Sequence, residues 1–247
     1  MPKISKFLPS FILDFKRKFD FWKYRKSLSR FDNLSINEVF SKIYKDKLWG
    51  GSDDEPFNSG LGTISPNTTL YIDNLLEFIK DNKVQSIVEI GCGDFKIMSK
   101  LLSAINIPIN YDGFDVVEEL INFNTNIFGT ENIRFHHYDG NVDAYPSADM
   151  LIVRQVLQHL DNSTIKKILD KSKDYRFVII TEHLPSNSSY TPNLDKRIGP
   201  DIRIYNNSGV FIEEEPFNIK IDRVLVEYQE DTENFPAIMR TTLSINP

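Results

Sequence analysis

The 247-residue chain contains a single cysteine, Cys92. One thiol excludes an internal disulfide framework and any multi-cysteine metal cluster, and it suits a reducing compartment. No apolar run approaches the roughly 20 residues that a membrane-spanning helix needs. The N-terminal stretch FLPSFILDF is broken by Pro9 and Asp14 and is followed by no small-residue cleavage site, so no secretory signal is read there. There are four histidines, which keeps the candidates for a general base few. Internal repeats and low-complexity tracts are lacking too. Against these absences, 40% of the residues are hydrophobic and 12% aromatic, enough for a packed core.

Charge is unevenly spread. Residues 1–30 carry nine Lys/Arg against Asp14 and Asp20, while the rest of the chain is strongly acidic and the net charge is −6. An acidic body argues against a nucleic-acid binder, which needs a broad basic face. Within residues 10–30, Phe11, Phe15, Phe19 and Trp22 fall on one stripe of a 3.6-residue period, flanked by basic side chains. This predicts a helix that packs on a neighbouring surface or, as the lesser alternative, lies on the inner face of an anionic membrane. Localisation is expected to be cytoplasmic.

A second short helix is expected over 35–48, with Val39, Ile43 and Leu48 inward. Residues 49–64, rich in Gly, Ser, Asp and Pro, read as a loop long enough to be a lid. Ser65-Pro66 predicts the start of a helix running to about Lys80. From residue 84 onward, short apolar strands alternate with helical stretches: strands at 86–90, 109–115, 133–139, 148–154 and 175–183, with helices between. That alternation predicts βαβ units, a parallel sheet and helices on both faces. Two further strands, 217–229 and 237–245, are expected to pair with each other at the sheet edge.

The segment that carries chemistry is Val88-Glu89-Ile90-Gly91-Cys92-Gly93-Asp94-Phe95. A buried strand ends in Gly-x-Gly and turns directly into a helix, which allows the backbone to approach a ligand closely. A dinucleotide fingerprint would place a third glycine at position 96, where this chain has Lys96. Asp115 ends the second strand, where a carboxylate can accept from both ribose hydroxyls. Asp139-Gly140 follows the third strand, on the side where an adenine amino group would lie.

On these residues the chain resembles the class I S-adenosylmethionine-dependent methyltransferases. Glu89, Gly91, Cys92, Gly93 and Asp94 look like their first motif, Asp115 with Val116 like the ribose site, and Asp139 with Gly140 like the adenine side. Val156-Leu157-Gln158-His159-Leu160 is similar to a stretch that many members carry after strand four. The resemblance implies a Rossmann-like, doubly wound sheet of seven strands, mostly parallel, with the last strand inserted antiparallel. It implies a catalytic domain over 65–247, preceded by a basic helical segment and lid loop over 1–64, and S-adenosylmethionine as cofactor. The flanking Tyr44, Trp49-Gly50-Gly51, Ser59-Gly60 and Asp201-Ile202-Arg203 resemble small-molecule O-methyltransferases of bacterial surface-polysaccharide clusters, including those that act on capsule phosphoramidate.

Methyl transfer asks the protein mainly for positioning, plus a base where the acceptor must lose a proton. His183, at the end of strand five, is taken as the base, with His159 as a second candidate. Arg154 and Arg203 are taken as a clamp for a phosphate or carboxylate on a small acceptor, with Tyr71 beside it. Glu182 with His183 would suit a divalent metal, but two ligands alone leave this the lesser reading. No Asp/Asn-Pro-Pro-Tyr/Phe motif of amino-methylating nucleic-acid enzymes is present. The alternatives to small-molecule methyl transfer are a protein methyltransferase and a cofactor-binding scaffold without turnover.

Overall fold

A computed structural model describes residues 28–63, 65–139, 145–231 and 235–247. Most of the helix expected over 10–30, including its aromatic stripe, lies outside the described residues, as does Gly140. The chain forms two compact units, Met1–Ser35 and Ile36–Pro247. In the first, the described residues hold a 3-10 turn, Leu28–Phe31, with the Arg30 guanidinium 5.0 Å from the Phe31 ring centroid. No helix among the described residues is long and apolar enough to cross a membrane.

The second unit is built on seven strands: β1 (Ser86–Ile90), β2 (Asn110–Asp115), β3 (Ile133–His137), β4 (Met150–Arg154), β5 (Phe177–Pro185), β6 (Arg223–Gln229) and β7 (Ala237–Ile245). They form one sheet in the order β3-β2-β1-β4-β5-β7-β6. The first five strands are mutually parallel, and β7 runs antiparallel between β5 and β6. β7 rather than β6 therefore neighbours β5, and β6 is the edge. β4 and β5 are buried almost throughout, which is why Met150–Val153 and Phe177–Ile180 read as apolar runs rather than as alternating patterns.

Among the described residues, five α-helices complete the unit: α1 (Ile36–Lys45), α2 (Thr68–Asp81), α3 (Lys96–Ala104), α4 (Glu118–Phe128) and α5 (Asn162–Ser172). α2 buries Tyr71, Ile72, Leu75, Phe78 and Ile79, the i, i+1, i+4, i+7, i+8 spacing of one helical face. With Ile97, Met98 and Leu101 of α3 it covers Ile87, Met150, Ile152, Phe177 and Ile179 of the sheet. The start of α5 is fixed by Asp161, whose carboxylate accepts from the Thr164 amide at 2.7 Å, a cap worth about 1 kcal/mol.

Strand bounds shift by one or two residues from the sequence reading. α2 starts at Thr68 with Asn67 at its cap rather than at Ser65-Pro66, the Ser65 hydroxyl accepting from the Asn67 amide instead. Three further differences have a local reason. α1 ends at Lys45, so the helical period does not reach Leu48, which is exposed. Residues 217–222 are not strand, because Ile219 hands its amide to Ile212 instead of to a sheet partner. β5 continues two residues past His183, held by pairing of Leu184 with Ile238 and Pro185 with Ala237.

Candidate active site

The strand order reverses between β1 and β4, which both leave the sheet at their C-terminal ends. In open α/β sheets such a switch point opens a crevice. Here it is a cavity of about 1000 Å³, including its open mouth.

Its floor is the turn after β1. Gly91 and Cys92 both donate their amides to the Phe114 carbonyl, at 2.8 and 3.0 Å, pinning the turn to β2. Gly91 and Gly93 have φ of 71° and 53°, the left-handed region that favours glycine. A Cβ on Gly91 would stand 2.4 Å from Cγ2 of Val156, on the stretch after β4. Asn124 of α4, fully buried, donates to the Gly93 carbonyl at 2.8 Å.

Asp115 closes β2. Its two carboxylate oxygens accept from the Gly93 and Val117 amides, each at 3.1 Å, so the same side chain shapes the turn and lines the cavity. Burial pushes its carboxyl up to about 6, against the pull of those amides toward the ionised form. Glu89 is also buried and accepts a hydrogen bond from the Tyr111 hydroxyl; burial pushes it up to about 8. The Cys92 thiol is pushed up by burial as well, which makes it an inert packing group.

The roof comes from α1 and the loop after it. The Ser59 amide donates to Asp94 at 3.0 Å, and the Asp94 amide donates back to the Ser59 hydroxyl at 2.8 Å. Tyr44 bonds the same hydroxyl at 3.0 Å. Lys96 bridges Asp94 at 3.3 Å and Glu55 at 2.5 Å. Phe40, Tyr44, Trp49 and His159 form an aromatic wall, with the Trp49 and His159 rings 4.9 Å apart.

The remaining sequence-derived candidates divide. Glu89, Gly91, Cys92, Gly93, Asp94, Asp115, Val116, Arg154 and His159 all line the cavity. Arg154 donates to the Gly62 carbonyl at 2.8 Å and lies 5.2 Å over the Tyr71 ring. Tyr71 itself is buried behind the cavity rather than on its wall, and Asp139 is not among the lining residues.

His183 does not reach the cavity. Because β5 continues beyond it, His183 sits inside the ladder opposite Met239, and its Nε2 lies 2.5 Å from the Glu230 carbonyl. Arg203 is also elsewhere: it is buried and donates to the Leu160 carbonyl at 2.7 Å and to that of Leu194. It stitches the late loop to the end of β4's turn and is not free to clamp an anion. Glu182 and His183 alternate across β5 and face opposite sides of the sheet, so they do not converge on a metal. Glu182 instead accepts from the amides of Leu157 and Gln158, at 3.0 and 3.1 Å, and caps the 3-10 turn Leu157–His159. Among the described residues no group of three or more His, Cys, Asp or Glu is placed to hold a metal ion.

A mostly parallel sheet of seven strands with an antiparallel insertion, and a glycine turn at its switch point, define the class I S-adenosylmethionine-dependent methyltransferase fold. Solved structures of that fold superpose on the chain. The N-terminal domain of EvdMO1 with S-adenosylhomocysteine bound matches at a TM-score of 0.53 and 13% identity, over 87% of this chain and 98% of that one. Magnesium protoporphyrin IX methyltransferase from Synechocystis PCC 6803, with S-adenosylmethionine bound, matches at 0.52 and 14%, over 87% and 99%. TehB from Haemophilus influenzae matches at 0.50 and 16% over 71% of this chain, which spans 62% of TehB's length. No protein-family model and no curated protein sequence matches the chain.

Tyr44, Trp49 and Ser59 entered the sequence reading only through the resemblance of the flanking segments, and Lys96 only as the residue that replaces a third glycine; none was given a contact with the turn. Their approach to it depends on how the roof folds back.

Proposed function

We propose that the chain transfers a methyl group from S-adenosylmethionine to an oxygen of a small anionic acceptor. The observation that supports this best is the meeting of the turn at residues 91–93 with the Asp115 carboxylate on one cavity wall. A carboxylate offers about four lone-pair sites. Two are taken by the Gly93 and Val117 amides, which leaves two for the ribose hydroxyls.

When bound, the cofactor supplies a methyl carbon already activated by the adjacent sulfonium. The chain's own residues do the rest. Asp115 and the backbone at 91–93 hold the cofactor, the aromatic roof excludes water, and Arg154 fixes an anionic oxygen of the acceptor. An acceptor that is already an anion takes the methyl without giving up a proton, so positioning suffices. The resemblance of the flanking segments to surface-polysaccharide enzymes suggests that setting for the acceptor.

Calorimetry tests the reading. S-adenosylhomocysteine is expected to bind the wild-type chain, and Asp115→Ala to bind it at least tenfold more weakly, the loss of two hydrogen bonds at about 1 kcal/mol or more each. Binding of NADH in place of S-adenosylhomocysteine would refute it. Binding without any methyl release across a broad acceptor panel would favour the scaffold reading.

A further inference from the structure

The stretch after β4 carries two of the cavity's lining residues at its two ends. Val156, at its start, packs on the cofactor turn so closely that a Cβ on Gly91 would stand 2.4 Å from its Cγ2. His159, at its end, lies with its ring 4.9 Å from that of Trp49 in the aromatic wall. Between them Leu157–His159 is a single 3-10 turn, too short to fix its own place, because its first amides and last carbonyls find no partner inside it. Two ionisable side chains supply those partners from behind. Glu182 of β5 accepts from the Leu157 and Gln158 amides at one end, at 3.0 and 3.1 Å. Arg203 donates to the Leu160 carbonyl at the other end, at 2.7 Å, and to the carbonyl of Leu194.

Neither residue lines the cavity, and both are buried, at 3% and 1% exposure. Charged side chains are rarely buried so fully unless polar partners meet them there. Here most of those partners are backbone groups of one four-residue stretch, 157–160. The late loop that carries Arg203 reaches the aromatic wall twice more. The Gly199 amide donates to the His159 carbonyl at 3.0 Å, and the Pro200 carbonyl accepts from the Trp49 indole at 3.4 Å. Arg203 thus ties the turn to the loop that backs both His159 and Trp49. Groups that face a ligand are only as well placed as the residues that hold them from behind, and a displacement of about 1 Å can cost a hundredfold in rate.

We propose that Glu182 and Arg203 are positioning residues for methyl transfer that hold this turn from opposite ends, Glu182 setting Val156 against the cofactor turn and Arg203 setting His159 against Trp49. This rests on the methyl-transfer reading and divides the walls of that site between two residues outside it. The two ends have different consequences. Loosening the Glu182 end shifts the wall beside Gly91 and weakens the hold on the cofactor. Loosening the Arg203 end parts His159 from Trp49 and leaves the cofactor turn in place. A role confined to overall stability has no such division and moves both alike.

The test uses the full chain and two readouts: calorimetry with S-adenosylhomocysteine, and tryptophan emission in a Trp22→Phe background, where Trp49 is the one tryptophan left. Glu182→Gln keeps an acceptor for one of the two amides, and Arg203→Lys keeps a donor for one of the two carbonyls, which guards the fold in both variants. Glu182→Gln is expected to bind S-adenosylhomocysteine roughly threefold to tenfold more weakly, the loss of one hydrogen bond, and to move the Trp49 emission less than Arg203→Lys does. Arg203→Lys is expected to shift that emission to longer wavelength as water reaches the ring, with S-adenosylhomocysteine affinity within about twofold of the wild type. Val156→Ala leaves both clamps in place and should itself weaken S-adenosylhomocysteine binding. Adding Glu182→Gln to it should cost no more than about twofold further, because the wall through which Glu182 acts is already gone. Equal movement of both readouts by both variants, additive losses in the Val156 pair, or readouts indifferent to both variants overturns the proposal. In each of those cases wild-type binding of S-adenosylhomocysteine leaves the methyltransferase reading standing; failure of the wild type to bind it would remove both.

Discussion

Gly91 joins two demands at a single position. Its φ of 71° is in the left-handed region, and its missing Cβ makes room for Val156. Gly91→Ala should therefore lose roughly 1–3 kcal/mol from backbone strain alone, with the Val156 collision added. Thermal melts should show a lower midpoint, and S-adenosylhomocysteine should bind more weakly. Adding Val156→Ala should recover the steric part and not the strain, so the pair is expected to be non-additive. Additive losses in a double-mutant cycle would show that the two residues do not press on each other. The glycine itself was legible in the sequence, because Gly-x-Gly after an apolar strand has few other uses. What it touches was not, since Val156 lies 65 positions away and is brought there by the β1–β4 pairing. His183 shows the converse. Its place near a strand end was visible, but one more pair of residues in the β5 ladder decides whether an end points into a crevice or into a neighbouring strand, and composition does not record that.

Among the elements, the strands and the helices between them were the most readable, because burial on both faces leaves continuous apolar runs. The roof was the least readable. Its contacts, such as Ser59 with Asp94, join a polar loop to a turn 35 residues on through a reciprocal pair of hydrogen bonds that leaves no periodic trace. Residues 49–63 lie closed over the turn, tied by Ser59, by Lys96 and by the Arg154–Gly62 contact. We propose that this segment opens to exchange ligands. Ser59→Ala removes the bonds to the Asp94 amide and to Tyr44, and a loss of about 1–2 kcal/mol corresponds to amide exchange some 5–30-fold faster through the segment. In the wild type the same amides should slow when cofactor and acceptor are both present. Exchange indifferent to the substitution and to ligands would make the segment an ordinary surface loop.

At the scale of the whole molecule, buried carboxyls set the response to pH. Burial holds Glu89 and Glu182 up to about 8, well above the ordinary carboxyl range of an unfolded chain. Between about pH 4.5 and 8 the folded state keeps protons that the unfolded state has released. The stabilising contribution of each group is complete below the unfolded value and is lost as pH rises through the folded one. The slope is about 1.4 kcal/mol per pH unit for each group inside its window. Asp115, pushed up to about 6, adds to the slope over the lower part of that range. Below about pH 6.5 the buried His159 and His183, whose protonation burial disfavours, oppose this slope. Urea melts between about pH 6.5 and 8 should therefore show stability falling as pH rises, and Glu182→Gln should be less steep than the wild type. Parallel curves would mean that Glu182 ionises equally in both states.

The antiparallel insertion has a consequence for how the molecule comes into being. β6 is made before β7 but touches the sheet only through it. A ribosome-bound chain that has just released residues 223–229 has no strand for them to pair with, and β5 presents a bare edge until residues 237–245 emerge. The parallel half can assemble in the order of its synthesis. The other half cannot, and the strand made last supplies both missing neighbours at once.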